Sequence, residues 1–327
     1  MITAVILVIS LITTFLLMPP FIRRMKVQNF LAKDMNKYSK PLVAELGGVI
    51  VFLGFSFGVL VAIFLSTYLK VFSLDLSILL AGFLTIALIA FVGVIDDIIG
   101  WKKGIRQWQH ALFPIIAALP LMAIAAGQTT MNIPLIGSID FGIFYALIII
   151  PIGVTGASNA FNMLAGFNGL EAGQGIILTG TLTIIALLNG EITATILGLA
   201  MIGALLGFLI FNYFPAKIFG GDSLTLMVGA NLAVMSILGN METIGVMIMG
   251  LFFLEFLLKA KHKFQSECFG IPQKNGTLLP QKQKGSITQY ILELGKGKLN
   301  EKQVTQIILI TQGVICGVIL SSYLILR

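Results

Sequence analysis

Charged residues are scarce in this chain: 11% of its 327 residues are Asp, Glu, Lys or Arg, and 57% are hydrophobic. A soluble domain has about 25% charged residues, so the composition excludes an ordinary soluble protein and indicates an integral membrane protein. The only histidines, His110 and His262, have no His or Cys partner nearby in the sequence, which argues against a zinc site. The only cysteines, Cys268 and Cys316, show no metal-ligand spacing and predict unpaired thiols.

Hydrophobic runs of about 20 residues, the length of a membrane-spanning helix, recur along the chain. We therefore predict an all-α integral membrane protein in which residues 1–327 form a single polytopic domain. Residues 261–304 form a predicted cytoplasmic loop insertion between helices nine and ten. The ten predicted transmembrane helices are 2–22, 45–68, 76–95, 111–127, 141–158, 169–189, 192–213, 223–240, 242–260 and 305–326.

The basic residues lie almost entirely on one side of this predicted topology. Nineteen of the 21 lysines and arginines fall in alternate loops, and only Lys70 and Arg327 fall on the opposite side. By the positive-inside rule, the basic loops are cytoplasmic. This predicts a multi-pass protein of the cell membrane with both termini outside. Topology accounts for most of the net charge of +7, and the loops carry no stripe of interleaved aromatics, so no nucleic-acid partner is expected.

The long inner loop contains two local signals. Asn275-Gly276 predicts the turn of a short hairpin in FGIPQKNGTLLP. Ser286 and Gln289 have the spacing of a capping box, and apolar residues at helical spacing follow them up to Leu294. This segment is either an amphipathic helix at the membrane interface or a solvated linker helix.

Asp96 and Asp97 end the third predicted span. Ionised Asp near a bilayer is unfavourable and is usually paired, metal-bound or functional. Neighbouring positions on a helix point about 100° apart, so the two carboxylates are expected to differ in role. The alternative is a pair of solvated acids at a helix end.

Three asparagines, Asn159, Asn162 and Asn168, lie in the segment GASNAFNMLAGFNGLEAG. Asn159 and Asn162 share a helix face, and the amide oxygen is a hard metal ligand. Gly166 allows the backbone to turn tightly and approach a ligand. Capping of a helix end is the alternative, but it does not require three asparagines within ten residues.

Further polar residues lie at the same face. Asp222, in the FGGD segment 219–222, is either a helix N-cap or a Mg²⁺ ligand, since Mg²⁺ binds few carboxylates and completes its shell with water and phosphates. Lys37 could hold a phosphate as a point charge or could simply follow the positive-inside rule. Glu45 stands at a span boundary beside a Gly-Gly pair.

Carboxylates and amides gathered among basic loops favour an enzyme that acts on an anionic substrate with Mg²⁺, with Mn²⁺ as the alternative ion. The alternative is a transporter of an anionic solute. A transporter is expected to place its polar groups near the bilayer midplane, whereas these groups lie at span ends. A structural scaffold would leave the clustered Asn and Asp unexplained.

Four features in this order resemble the polyprenyl-phosphate N-acetylhexosamine-1-phosphate transferases: VGVIDDIIG, NAFNMLAGFNGLEAG, FGGD before a span, and the long inner loop. The run NMLAGFNGLEAG is most similar to the eukaryotic and archaeal branch, which uses UDP-N-acetylglucosamine and dolichyl phosphate. The resemblance implies transfer of N-acetylglucosamine-1-phosphate with release of UMP, at a cytoplasmic-face active site in a lipid bilayer. It also implies a homodimer. Another UDP-N-acetylhexosamine or undecaprenyl phosphate is the alternative substrate.

The resemblance also implies residue roles around the metal. Asn162 and Asp222 would hold Mg²⁺. Asp96 would orient or deprotonate the acceptor phosphate, and Asp97 would support Asp96.

For the substrates, the resemblance implies that Asn168 and Gly166 meet the uridine and that Phe219 helps to hold the nucleotide. Asn159 would support the diphosphate, and Glu45 would lie on the acceptor side.

The chain departs from the family at two places. Where members often have a Lys after the Asp pair, this chain has Gln109 or His110. Where a His/Arg cluster is expected in the last inner loop, it has ECFGIPQKNG, with Lys263 and Lys274 as candidate replacements.

Overall fold

The structure, a computed structural model, describes residues 2–100, 113–133 and 136–327. Helices make up most of these residues, and a π-helical turn, Tyr145–Ile149, runs directly into the fifth of the helices numbered below. The helices are α1 Ile2–Val27, α2 Gly47–Thr67, α3 Leu76–Gly100, α4 Leu119–Ala123, α5 Ile150–Met163, α6 Leu170–Asn189, α7 Ile192–Asn212, α8 Asp222–Leu238, α9 Glu242–Ile248, α10 Gly250–Lys261, α11 Ile287–Leu294 and α12 Glu301–Leu326.

Between the helices of the described ranges lie three short antiparallel hairpins. Their strands are β1 Leu31–Lys33 with β2 Leu42–Ala44, β3 Thr130–Ile133 with β4 Gly137–Asp140, and β5 Ile271–Pro272 with β6 Leu278–Leu279. The predicted turn at Asn275-Gly276 joins β5 to β6, and Gly276 has a φ of 84° there. This prediction is confirmed.

Seven helices among the described residues are long and apolar enough to cross a bilayer: α1, α2, α3, α5 with its π-helical turn, α6, α7 and α12. Helices α9 and α10, bent by 61° relative to each other, count as an eighth if they form one span. Helix α8 has 17 residues and is buried along its length after Asp222. The chain is therefore a helical, multi-pass membrane protein. The predicted span 111–127 begins outside the described residues.

Small residues let helices α1, α2 and α7 approach closely. Gly54 of α2 abuts Thr14 of α1, and a Cβ at Gly207 of α7 would lie 2.7 Å from the carbonyl oxygen of Leu11. Close backbone approach through small residues is the usual way in which membrane helices gain van der Waals contact. This packing supports helix α2, whose first residues contact the FGGD segment described below.

The bend between α9 and α10 has a polar partner in α12. The break leaves the Ile248 carbonyl outside the regular helical bonding, and Gln312 Nε2 donates to that oxygen over 2.9 Å. Gln312 is fully buried. Because lipid offers no hydrogen-bond donor to a free carbonyl oxygen, this amide stabilises the break.

Helix α11 begins at Ile287 as expected, but the predicted capping box is wrong. The Ser286 hydroxyl contacts Cys268 Sγ and Thr288 and makes no cap bond. Instead, the buried Glu255 carboxylate of α10 accepts from the Ile287 amide at 2.8 Å. A carboxylate is a stronger acceptor than a hydroxyl, so a residue distant in sequence caps the helix.

Candidate active site

Loops that follow alternate helices meet at one end of the helical bundle and enclose a cavity of about 220 Å³. Its wall includes residues from the β1 region, the start of α2, the α5–α6 turn, the start of α8 and the long loop after α10. Among the described residues that line it, Lys33 is the one with a basic side chain. The lining carboxylates belong to Asp34, Glu45, Glu171 and Asp222.

Asp222, the first residue of α8, is the centre of the polar contacts. Its side chain is hydrogen-bonded to the Asn162 side chain, and it lies within hydrogen-bonding distance of the Asp96 carboxyl. Thr225 Oγ1 donates to Asn162 Oδ1 over 2.9 Å, so the amide is held from both sides. Asp96 is buried, with 5% of its surface exposed. The structure thus brings together Asp96, Asn162 and Asp222 from α3, α5 and α8.

Asp97 makes different contacts from Asp96. Its Oδ1 accepts from the Asp222 amide at 2.7 Å, and its Oδ2 accepts from the Ser223 amide at 3.1 Å. These are free N–H groups at the first turn of α8, which a carboxylate satisfies while also meeting the positive end of the helix dipole. Gly221, with a φ of 74°, abuts the Asp97 carboxylate and leaves no space for a side chain. Asp97 therefore caps α8 and fixes the position of Asp222.

The FGGD segment packs against the start of α2. The amides of Gly47 and Gly48 donate to the carbonyl oxygens of Phe219 and Gly220, both at 2.9 Å. Glu45, just before this contact, lines the cavity. Burial, followed by the charge of Asp97, raises the pKa of the Glu45 carboxyl above its usual range. Phe219 lines the same cavity.

Lys37 and Asn168 belong to a buried network beside the cavity rather than to its described lining. Lys37 Nζ pairs with Asp34 Oδ2 at 3.1 Å and with the Glu301 carboxylate at the start of α12. The Asn168 amide donates to Glu301 Oε1 over 2.8 Å, and Asn168 Nδ2 donates to Asp34 Oδ2 over 3.2 Å. Asn159 lies one helical turn from Asn162, donates to the Thr155 carbonyl at 2.9 Å, and is likewise not among the described lining residues.

The α5–α6 turn at Gly166 is held on several sides. Its amide donates to Glu171 Oε1 over 2.6 Å, and its carbonyl accepts from Asn36 Nδ2 at 2.9 Å. The ring of Phe269 lies against its α-carbon: a Cβ at Gly166 would be 2.6 Å from Phe269 Cε1. The turn needs a φ of 99°, in the left-handed region that favours glycine.

Sequence reasoning did not single out Glu171, Lys33, Asn36 or Phe269. Glu171 follows Gly169 in the first helical turn of α6, and a carboxylate beside an Asn-Gly turn is a signal that was available. For Phe269 there was none, because an aromatic residue in a polar loop predicts no contact. The suggested replacements Lys263 and Lys274 are not among the described lining residues of the cavity, and Gln109 and His110 lie outside the described residues.

The donor atoms at the centre of the site fit a hard divalent cation. Asp96 and Asp222 offer carboxylate oxygens, and Asn162 Oδ1 keeps a second lone pair beside its bond from Thr225. Within the part of the chain that the structure describes, no group of three or more His, Cys, Asp and Glu is arranged to hold a metal. A sparse oxygen set suits Mg²⁺, which takes much of its shell from water and phosphate.

Comparison with known proteins adds a family relationship. Residues 79–240 match the family described as Glycosyl transferase family 4. A protein of Saccharolobus solfataricus is 37% identical over 285 residues, which cover 85% of this chain and 84% of that protein. Its provisional name is UDP-N-acetylglucosamine–dolichyl-phosphate N-acetylglucosaminephosphotransferase.

Two further relatives are similar over most of their length. A protein of Sulfolobus acidocaldarius with the same provisional name is 37% identical, covering 84% of this chain and 82% of its own. The phospho-N-acetylmuramoyl-pentapeptide-transferase of Halalkalibacterium halodurans is 31% identical, covering 77% and 79% respectively. The matched family segment includes Asp96, Asp97, the three asparagines and Asp222.

Proposed function

Because the chain belongs to glycosyl transferase family 4, among the polyprenyl-phosphate N-acetylhexosamine-1-phosphate transferases, we propose that it transfers N-acetylglucosamine-1-phosphate from UDP-N-acetylglucosamine to a polyprenyl phosphate such as dolichyl phosphate. UMP is the second product. The reaction is a first membrane step of glycan assembly. The observation that carries the proposal is the convergence of Asp96, Asn162 and Asp222 beside a polar cavity.

The reaction is a displacement at the β-phosphorus of the donor. An oxygen of the acceptor phosphate forms a bond to that phosphorus, and the bond from the phosphorus to the bridging oxygen breaks, leaving UMP and a lipid diphosphate sugar. Asp96, buried next to Asp222, orients the acceptor phosphate and takes its proton if it carries one. Direct attack is favoured over a phosphorylated carboxylate because the acceptor phosphate is already a competent nucleophile.

Asp222 and Asn162 would hold Mg²⁺, or Mn²⁺, and the ion would neutralise charge on the diphosphate oxygens. The composition of the cavity lining supports this role for a cation. Four carboxyl groups and one lysine belong to its described lining, and carboxylates in their ionised form would repel a diphosphate in the absence of a cation. Asp97 holds the α8 N-terminus, so Asp222 presents its carboxylate at a fixed position.

A second cavity offers a place for the lipid chain. A groove of about 290 Å³ with an almost wholly apolar wall runs along α5, between that helix and α8, α9 and α10. Gly153, Gly156 and Ala160 of α5 line it, and Asn162 lies at the inner end of the same helix. An isoprenoid chain in this groove would leave its phosphate at the loop-bearing end of the bundle.

The site is proposed to face the cytoplasm, with both termini outside the cell membrane. This orientation rests on the positive-inside rule and the basic residues of the loops at the cavity end. A homodimer, implied by the family resemblance, stays a prediction.

The same reaction with another UDP-N-acetylhexosamine or with undecaprenyl phosphate is the second candidate. It is supported by the relative from Halalkalibacterium halodurans, which is named a phospho-N-acetylmuramoyl-pentapeptide-transferase. Transport of an anionic solute is disfavoured, because the polar cluster lies at the ends of α3, α5 and α8 rather than at mid-helix positions.

The test is UMP release by purified protein in detergent with UDP-N-acetylglucosamine, dolichyl phosphate and Mg²⁺. We expect UMP that depends on the lipid, disappears with EDTA and returns with added Mg²⁺. Asp222→Asn and Asp96→Asn should each abolish release from a folded protein. Absence of UMP with every donor and polyprenyl phosphate in a panel would refute the proposal, and turnover with only a different pair would favour the second candidate.

A further inference from the structure

The segment 267–270 of the long inner loop reaches the cavity through one side chain. Phe269 lines the cavity and lies against Gly166, with its ring edge 2.6 Å from where a Cβ on that glycine would be. It occupies the stretch ECFGIP, in which no charged side chain reaches the described lining. The long inner loop therefore contributes an aromatic ring to the cavity wall, on the side of the Gly166 turn, in addition to the rings of Phe167 and Phe219.

Helix α11 holds this segment from one side. Gln289 Nε2 lies within hydrogen-bonding distance of the carbonyl oxygens of Glu267, Cys268 and Phe269, at 3.2, 3.1 and 2.9 Å. Thr288 Oγ1 donates to the Cys268 carbonyl at 2.7 Å. Side chains of α11 thus fix the backbone of the segment that carries Phe269. No residue of α11 belongs to the described lining of the cavity.

Asn36 holds the segment from the other side. Its Nδ2 donates to the Gly166 carbonyl over 2.9 Å, and its Oδ1 accepts from the Gly270 amide at 3.0 Å. Asn36 is 4% exposed. One buried amide therefore joins two cavity walls, the Gly166 turn and the segment that carries Phe269, which are about a hundred residues apart in the chain.

We propose that Phe269 is a donor-binding residue and that Asn36 is the positioning residue that sets its ring against Gly166. The inference rests on the proposed function. The diphosphate of the donor binds with its cation at the Asp222 end of the cavity. The uncharged part of the donor therefore contacts the other residues of the cavity wall. An aromatic face offers that part a rigid apolar contact with little loss of side-chain entropy. Without Asn36, the ring and the Gly166 turn would lose their common support.

Calorimetric titration of UDP-N-acetylglucosamine into the detergent-solubilised protein with Mg²⁺ tests both roles. We expect Phe269→Leu and Asn36→Ala each to raise Kd about tenfold, the change equivalent to one lost aromatic contact. If Asn36 acts through Phe269, the double variant should bind no more weakly than Phe269→Leu alone. At saturating donor, kcat should stay within about twofold, since neither residue contacts the reacting phosphorus.

Asn275→Ala is the matched control, because this asparagine lies in the β5–β6 turn of the same loop, contacts Thr277 and does not line the cavity. It should keep the wild-type Kd. If Asn36→Ala does not fold, Asn36→Asp replaces it: it keeps the acceptor for Gly270 and loses the donor to Gly166.

An unchanged Kd in Phe269→Leu would overturn the donor-binding role, and additive effects in the double variant would overturn the positioning role. If the wild-type protein releases UMP and the variants give either of these results, this inference fails while the proposed function holds. A wild-type protein that binds no UDP-N-acetylglucosamine would overturn the proposed function and this inference together.

Discussion

Asp97 is the residue whose substitution best separates the two acids of the pair. In Asp97→Asn, one carboxylate oxygen that accepts from the α8 N-terminus becomes an NH₂ group facing an N–H donor. The amide keeps one of the two bonds, either to Asp222 N at 2.7 Å or to Ser223 N at 3.1 Å. Gly221 is in close contact with this carboxylate, so the side chain at position 97 has no space to shift towards the start of α8.

The expected loss follows from the bonds removed. One hydrogen bond to a charged acceptor contributes about 1.5–3 kcal/mol, and the lost interaction with the helix dipole adds about 0.5–1 kcal/mol. We therefore expect the free energy of unfolding to fall by about 2–4 kcal/mol. The Asp222 side chain shifts with its own backbone amide, so turnover should fall by about 30-fold to 100-fold without being abolished. At a factor of ten for each 1.4 kcal/mol, this corresponds to about 2–3 kcal/mol of lost transition-state stabilisation.

The assay is a pair of measurements, thermal unfolding in detergent and UMP release, on Asp97→Asn and Asp96→Asn. Asp96 contacts the Asp222 side chain, and in the proposed function it orients the acceptor phosphate. Asp96→Asn should therefore release no UMP, and its unfolding temperature should fall less than that of Asp97→Asn. The reasoning is refuted if Asp97→Asn unfolds like the wild type while losing all turnover, because Asp97 would then act on the substrate.

Three further predictions concern residues that hold the loops around the site or the bend between α9 and α10. Gly48→Ala should abolish UMP release, because the added methyl group would meet the amide of Leu224; wild-type turnover would show that the FGGD segment can move aside. Glu301→Gln should raise the KM for UDP-N-acetylglucosamine and lower the unfolding temperature, since the partly buried Lys37 loses the negative charge that pairs with it; the exposed Glu293→Gln is the control and should change neither. Gln312→Leu should reduce the free energy of unfolding by about 1 kcal/mol and leave turnover unchanged, as measured by denaturation and UMP release; lost turnover would connect the helix bend to the site.

Hydropathy was sufficient to predict most of the spans, because an apolar run long enough to cross the bilayer has few alternatives. It did not reveal that α8 is short and surrounded by protein, since burial against other helices and burial in lipid have the same apolar signature. The bend between α9 and α10 also escaped it. Met249-Gly250 contains no proline, and the stabilising amide of Gln312 comes from another helix.

The polar centre could be predicted because Asp96, Asn162 and Asp222 each end or begin a span on the same side, and the structure brings them together. The two adjacent carboxylates were expected to differ in role. In the structure they make different contacts: Asp97 accepts from the backbone of α8, and Asp96 contacts the side chain of Asp222. The roles in substrate binding stay predictions. Asn36 and Phe269 could not be found, because their contacts depend on how loops far apart in the chain pack together.

The ion pair between Lys37 and Glu301 also has a consequence for biosynthesis. The two residues are 264 positions apart, and at roughly 5–20 residues per second a ribosome takes about 13–50 s to make the intervening chain. During that time, Asp34 and Lys37 have already emerged, while the Glu301 carboxylate that pairs with Lys37 and accepts from the Asn168 amide does not yet exist. A nascent chain halted before α12 would contain Asp222 and Asn162 but lack this ion pair beside the Gly166 turn. The support that Glu301 gives to Lys37 and Asn168 would thus be acquired late, when α12 inserts, and an unfinished chain in the membrane is expected to bind the donor less tightly than the complete one.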